Sequence, residues 1–457
     1  MPLDLHSKCI VRLTDVLAAS LAAVIVKNRM FIEYPSIRGL LEADNVLPQS
    51  GKLRQDLSEY VSESPVSDFV LETLARELYE TQKYESDTPP AKLTELGGYA
   101  DLQTVAARII EQLRTLPWAY ALSIPLPNEI GTVLGKTTSL LLDTDTIRLV
   151  VPGDHFTDEY PLVSGIEMRD QNLSRTVGAT SLYGGANLLA MLGRQKLKWD
   201  EGVAHVQVYV NGFIGMYGST AALDAAVDHI KALVGLGVAL GLFDMKRSFA
   251  TKAAETKGII HRLVDGKWLI ERVLPLDTAL STALANLVFD SRRGTINSDE
   301  EQLAWAVNVF EKVARVFADV PRPRQLLLAA QWLFDSHCGS DEMLSFVQSA
   351  VVLEILLGDK ATSDAMGLGE LLRNRCAYSI SNTVEERDQI LRDFPKIYAV
   401  RSEIVHAGKK RLSYQEKMLH WKLQWLCSRV IQKEAALIKA KPRRIRPTDP
   451  PPGLPLT

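Results

Sequence analysis

Apolar residues recur at three- and four-residue spacing through most of this chain and switch to alternation only in its middle third. That spacing predicts helices over Asp68–Tyr84 and Ala100–Leu116, with the polar, proline-containing stretch Glu85–Lys92 as the loop between them. Residues 1–115 therefore read as a helical N-terminal region. Within it, the apolar run Val16–Val26 lies between Asp15 and Lys27. At 11 residues it is too short to span a bilayer. It also lacks a basic start and a small-residue cleavage site, so it reads as a buried helix.

Residues 116–275 change period. Ser139–Val151 is strand-like around a turn at Asp143-Thr144-Asp145. Val206–Val210 and Phe213–Tyr217 flank Asn211-Gly212, and Ile259–Val264 and Lys267–Val273 flank Asp265-Gly266. Both pairs predict hairpins. Ala221–Val234 reads as an amphipathic helix between them, so this region is α+β with antiparallel hairpins. Helical spacing then returns. Residues 276–320 form a helical connector, with Ser298 and Glu301 as a capping box before Leu303–Phe317. Val320-Pro321-Arg322-Pro323 reads as a linker. Further helices are expected at Arg324–Ser336, Glu342–Leu357, Gly369–Ser379, Val384–Asp393, Lys396–Ala407 and Ser413–Ala440, with Pro395 breaking or kinking the run. Residues 441–457 are basic and then proline-rich, which predicts a disordered tail. The fold class expected is α+β and multidomain, mainly α: a helical N-terminal region, a small α+β middle and a C-terminal helical bundle at residues 321–440.

Charge changes this picture at one point. The net charge of −3 hides an excess of cations at the C-terminal end, where residues 321–457 hold 21 Lys and Arg against 15 Asp and Glu. Such a surplus suits a polyanionic ligand. The four cysteines, Cys9, Cys338, Cys376 and Cys427, match neither a disulfide framework nor a zinc spacing, which fits a reducing, cytoplasmic setting.

The basic region contains Arg401-Ser402-Glu403-Ile404-Val405-His406, followed by the helix stop Ala407-Gly408 and by Lys409, Lys410 and Arg411. A guanidinium fork grips phosphate, and an imidazole moves a proton near neutral pH. These are the groups a metal-free phosphodiester cleavage requires, and three more cations lie where an RNA backbone would pass. On an ideal helix, residues five apart are displaced by about 7.5 Å and about 140°. Arg401 and His406 therefore converge poorly within one chain, and two copies crossing would pool them. Glu354 sits in an apolar helix, where a carboxylate needs a partner; Arg401, Arg373 and Arg375 are the candidates.

Four blocks carry a family resemblance: Ala330–Asp335, Phe346–Gly358, Leu371–Tyr378 and Ile397–His406, the last containing Tyr-x-x-Arg-Ser-x-Ile-Val-His. Together they make residues 326–437 resemble the Apea-like branch of the HEPN superfamily, small helical domains many of which are ribonucleases in prokaryotic conflict systems. The resemblance implies a HEPN-type helical bundle working as a homodimer. Arg401 and His406 would be catalytic, with Ser402 in place of the Asn, Asp or His common after the arginine. It implies RNA as substrate, no metal or cofactor, and attack by the ribose 2′-OH to leave a 2′,3′-cyclic phosphate and a 5′-OH. Glu354 would support Arg401, and Lys409, Lys410 and Arg411 would bind RNA. An antiviral or toxin-like role is implied, with residues 1–320 answering to an unknown trigger or regulator. The alternative is a HEPN module that dimerises and holds RNA or a protein without cutting.

Other motifs argue for packing. Gly131–Thr137 imitates a phosphate-binding loop but has three residues between its glycines where four are required. Gly235–Gly241 ends a helix instead of following a strand, and reads as a tightly packed helix end. Trp421 and Trp425, one turn apart, offer rings for base stacking, but aromatic residues at this spacing read first as core or dimer contacts. His337-Cys338 lacks companion ligands, and His420 carries no motif support.

Overall fold

The computed structural model describes residues 3–86, 88–126, 128–137, 141–162, 198–216, 220–245, 256–290, 298–318, 321–339 and 341–439. The tail at 441–457, Ser139 and Leu140, and Val320 lie outside the described residues. The fold is α+β and mainly α.

In the N-terminal unit, helix α1 (Ser7–Leu21) is followed by β1 (Ile25–Lys27) and β2 (Phe31–Ile32). After them come α2 (Leu41–Asp44), α3 (Lys52–Tyr60), α4 (Pro65–Thr81), β3 (Ala91–Lys92) and α5 (Leu102–Arg114). The helices at α4 and α5 match their apolar spacing. Val16–Val26 is not one buried helix: α1 ends at Leu21, and Ile25 and Val26 belong to a small antiparallel sheet ordered β2-β1-β3. The β-branched Val24-Ile25-Val26 triplet favours strand once the helix has run out.

A six-stranded antiparallel sheet forms the middle. Its strands are β4 (Trp118–Pro125), β5 (Leu142–Asp143), β6 (Ile147–Val150), β7 (His205–Gly212), β9 (Lys257–Val264) and β10 (Lys267–Pro275), in the order β10-β9-β4-β7-β6-β5. Strand β8 (Phe243–Met245) pairs separately with β11 (Leu287–Phe289). Short helices α6 (Asn128–Leu134) and α7 (Asp154–Glu159) border the sheet, and α8 (Ala221–Ala239) covers one face.

The β9–β10 hairpin turns at Asp265-Gly266, both with positive φ (49° and 75°), as the sequence implies. The hairpin expected at Asn211-Gly212 does not form. Strand β7 runs through both residues, which pair with Ala119 and Trp118 of β4, and the Phe213 amide then donates to Tyr60 O at 2.8 Å. Gly212, at φ 150°, is required by close approach: a Cβ there would lie 2.9 Å from Tyr60 O and 2.8 Å from Ala222 Cβ. The glycine joins two units instead of turning a hairpin.

The C-terminal helices are α9 (Thr278–Ala285), α10 (Asp299–Val316), α11 (Pro321–Cys338), α12 (Glu342–Leu357), α13 (Lys360–Met366), α14 (Leu368–Ile380), α15 (Val384–Ala407) and α16 (Tyr414–Leu437). Ser298 caps α10 through the Glu301 amide, as its capping-box spacing predicts. Two expectations are corrected. Pro321 opens α11 instead of lying in a linker, because a proline in the first helical turn sacrifices no intrahelical bond. Helix α15 is continuous through Pro395. The proline is exposed, and Ile390, Phe394, Ile397 and Val400 are buried on both sides of it, so packing holds the helix together across the missing donor.

The bundle does not stand apart from the sheet. Their buried side chains form one core, from Leu122 and Val208 through Ile230 and Leu233 of α8 to Leu333, Phe346, Leu426 and Val430. The closest approach is at Gly235, where a Cβ would lie 2.0 Å from Ala330 O of α11. The Gln432 amide of α16 donates to Ala239 O at 2.7 Å, and Lys231 pairs with Asp335 at 3.1 Å. Gly235–Gly241 is thus the packed helix end expected, with Gly237 seated against the Phe243 ring. Gly131 and Gly135 likewise admit the backbone of Leu126 and Gly202, and Gly131 lies inside α6, so no phosphate loop forms. Among the described residues no helix is long and apolar enough to cross a membrane.

Candidate functional site

Helix α15 starts at Thr383, whose side chain accepts the Glu386 amide, and ends at Gly408 in the left-handed region (φ 66°). Its buried face ends with Val400, which places the next residue, Arg401, at the rim of the bundle. There the Arg401 Nη2 lies 3.1 Å from Glu354 Oε1 of α12, with side chains 20% and 22% exposed. The guanidinium carbon is 5.9 Å from the centre of the Tyr398 ring. Tyr398 is backed in turn by Gly369, where a Cβ would meet the ring at 3.0 Å. Arg401 Nε is buried and makes no hydrogen bond among the described residues.

Of the three arginines the sequence offers Glu354, the structure selects Arg401. Arg373 pairs with Glu370, and Arg375 donates to Leu357 O at 2.8 Å. The pair explains how a carboxylate persists beside buried Leu353 and Leu357.

His406 is exposed in the last turn of α15, and Ser402 is half-buried beside Arg401. Because α15 is regular, the separation of about 140° between Arg401 and His406 stands. Arg401 turns toward α12, while His406 faces outward. One chain does not bring them onto one face.

The three cations after the helix divide. Lys409 lies 2.7 Å from both Glu403 and Glu416, and its hydrogen bonds to Glu403 and then Glu416 hold its pKa above the ordinary lysine value. Burial works against the Glu416 carboxylate, but hydrogen bonds from Lys409 and Ser413 outweigh it and hold its pKa down. Glu416 also closes a capping box with Ser413 at the start of α16. Lys409 therefore clasps α15 to α16, with its charge shared between two carboxylates. Lys410 and Arg411 are exposed, and no ion pair ties them to the described residues. His420 is buried against Phe346, with ring centres 5.3 Å apart and Nε2 3.4 Å from Ser349 Oγ, so it belongs to the core. Trp421 and Trp425 are exposed, which removes the core half of the expectation that they are core or dimer contacts.

Sequence reasoning missed a second cluster, on the sheet face opposite α8. Tyr209 Oη lies 2.9 Å from Tyr160 Oη, accepts from Arg148 Nη1 at 2.6 Å and donates to Gln207 Oε1 at 2.7 Å. Gln207 Nε2 donates to Ser123 Oγ at 3.1 Å. Beside them His261 Nε2 is 3.0 Å from Pro161 O, and Trp199 stacks on its ring with centres 5.9 Å apart. Burial pushes His261 down to about 4, partly opposed by the bond to Pro161. The same effect lowers His205. The available signal was alternation in β7: His205, Gln207 and Tyr209 share one face, whereas Val206, Val208 and Val210 share the other. These groups largely satisfy one another, which marks a structural network.

Among the described residues no group of three or more His, Cys, Asp or Glu is placed to hold a metal ion. Comparisons with protein-family models, curated proteins and solved structures find no match to this chain.

Proposed function

We propose that the chain is a metal-independent endoribonuclease, with Arg401 holding the scissile phosphate and His406 moving a proton. The observation that carries the reading is a fixed guanidinium and a free imidazole near the end of one helix. Arg401 is held by Glu354 at 3.1 Å under Tyr398, His406 is open to solvent, and the cations Lys410 and Arg411 follow at once. Pre-positioned cations of this kind stabilise charge that develops in a transition state. The resemblance of residues 326–437 to Apea-like HEPN domains supplies the chemistry. The ribose 2′-OH attacks phosphorus, and the bond to the 5′-oxygen breaks. His406 delivers a proton to that leaving oxygen, and the 2′ proton passes to water or to the same histidine of a second copy. The products are a 2′,3′-cyclic phosphate and a 5′-OH.

The divergence of Arg401 and His406 within one chain makes a homodimer part of this proposal, since a second copy would complete the site. Ser402, half-buried next to Arg401, brings a hydroxyl able to donate and accept a hydrogen bond in a supporting role. A toxin-like or antiviral role in the cytoplasm, with residues 1–320 answering to a trigger, follows from the resemblance alone. That same divergence, with Arg401 spent on Glu354, also favours the second reading, a module that binds RNA or a protein without cutting. Growth arrest on expression, compared between wild type and His406→Ala, separates the two. Arrest by wild type that His406→Ala relieves supports the nuclease, and equal arrest by the two supports the module.

A further inference from the structure

Helix α16 carries an exposed apolar stripe. Tyr414 is 77% exposed, Met418 44%, Trp421 53% and Trp425 43%. Their spacing of four, three and four places them within an arc of about 60° on the helix, opposite the buried Leu423, Leu426, Cys427 and Val430. Large aromatics so exposed mark a contact surface.

Charge decides what the surface fits. Between Tyr414 and Lys433 the one acidic residue is Glu416, which is committed to Lys409 and to the helix cap. Lys410 and Arg411 lie just ahead of Tyr414, and Arg429 lies one turn beyond Trp425, with its Nη1 3.3 Å from Gln432 Oε1. Lys417 and Lys422 flank the stripe, paired with Glu342 and Asp393 of neighbouring helices. Two copies meeting on this face would set the cations Lys410, Arg411 and Arg429 of one against those of the other. A single-stranded nucleic acid has the opposite character: phosphates for the cations and flat base faces for the rings. Trp421 and Trp425 are about 6 Å apart along the helix axis, and base–aromatic stacking tolerates any sequence.

We propose that the outer face of α16 is a stacking track for single-stranded RNA, with bases lying on Tyr414, Trp421 and Trp425 and phosphates running along Lys410, Arg411 and Arg429. The inference rests on the ribonuclease reading for the identity of its ligand and extends it by giving the strand a path.

The test uses the full chain and a fluorescent single-stranded 2′-O-methyl oligoribonucleotide of about 12 nucleotides, within the usual range of single-strand sites. It cannot be cut through its 2′ position. Wild type binds it with quenching of tryptophan emission. Trp421→Ala with Trp425→Ala lowers affinity about tenfold or more, whereas the paired Phe substitutions retain most of it. Thermal melts of all variants stay close to wild type, because both rings are exposed. Three results overturn the track: unchanged affinity in the double-Ala variant, absence of wild-type binding, or conversion of a wild-type dimer to monomer by those substitutions without loss of RNA affinity. The last assigns the face to a second copy. Tryptophan-dependent binding without cleavage of ordinary RNA retires the nuclease and leaves the track standing; cleavage with tryptophan-independent affinity does the reverse.

Discussion

Replacing Gly235 by alanine tests whether the C-terminal bundle and the sheet share one core. An ideal Cβ at this position lies 2.0 Å from Ala330 O, 2.7 Å from Ala330 C and 3.3 Å from Ala330 Cα. All three are backbone atoms of α11, so no side-chain rotation relieves the overlap. Restoring ordinary contact requires α8 and α11 to separate by about 1.4 Å, which loosens the packing around Leu326, Ala329 and Leu333. Overpacking of this kind costs about 3 kcal/mol at the upper end of the usual range. Alanine returns about 1 kcal/mol of helix propensity, leaving a net loss of about 2 kcal/mol. Equilibrium denaturant unfolding measures it, with Gly97→Ala as control because nothing lies within 4 Å of that site. A Gly235→Ala protein as stable as wild type refutes the close crossing and the shared core built on it.

Three further outcomes follow from the same contacts. A fragment of residues 318–439 lacks α8 and α10, which cover its buried Leu333 and Val430, and is expected to aggregate or to give a broad, non-cooperative melt; a sharp monomeric transition contradicts this. His261 is depressed to about 4 from 6.5, so the unfolded chain binds the extra proton between those values. Stability therefore falls as pH drops from 6.5 to 4, by about 3 kcal/mol at about 1.4 kcal/mol per pH unit, and unfolding midpoints of His261→Gln show a correspondingly shallower decline unless the ring is not buried as described. Lys410→Ala and Arg411→Ala are expected to weaken RNA binding and flatten its salt dependence, whereas Lys409→Ala mainly lowers the melting temperature; equal binding losses in all three would refute the clasp.

The sequence was most legible where local pattern and tertiary packing agree. Glu342–Leu357 has the bounds its apolar spacing gives, and Asp265-Gly266 makes the turn its residue types demand. Legibility failed where a long-range contact reassigned a local signal. Asn211-Gly212 has turn chemistry, but β4 and Tyr60 claim its backbone. Pro395 is a breaker by chemistry, but the buried residues around it keep one helix. For the site, the helix-end positions of Arg401 and His406 and their divergence follow from spacing alone. Which arginine meets Glu354, and which lysine is already spent, depend on how α12, α14, α15 and α16 pack, and sequence could only offer candidates.

The central claim is tested most directly by incubating the full chain with single-stranded RNA in EDTA, comparing wild type with Arg401→Ala and His406→Ala and analysing the product ends. The account predicts EDTA-resistant cleavage leaving 2′,3′-cyclic phosphate. Each substitution is expected to lose about 100-fold or more in rate. His406 is exposed, so His406→Ala should melt close to wild type; Arg401→Ala leaves Glu354 without its partner and should melt somewhat lower. Cleavage at the wild-type rate by a folded His406→Ala protein, or activity that requires Mg²⁺ and leaves 5′-phosphates, contradicts it.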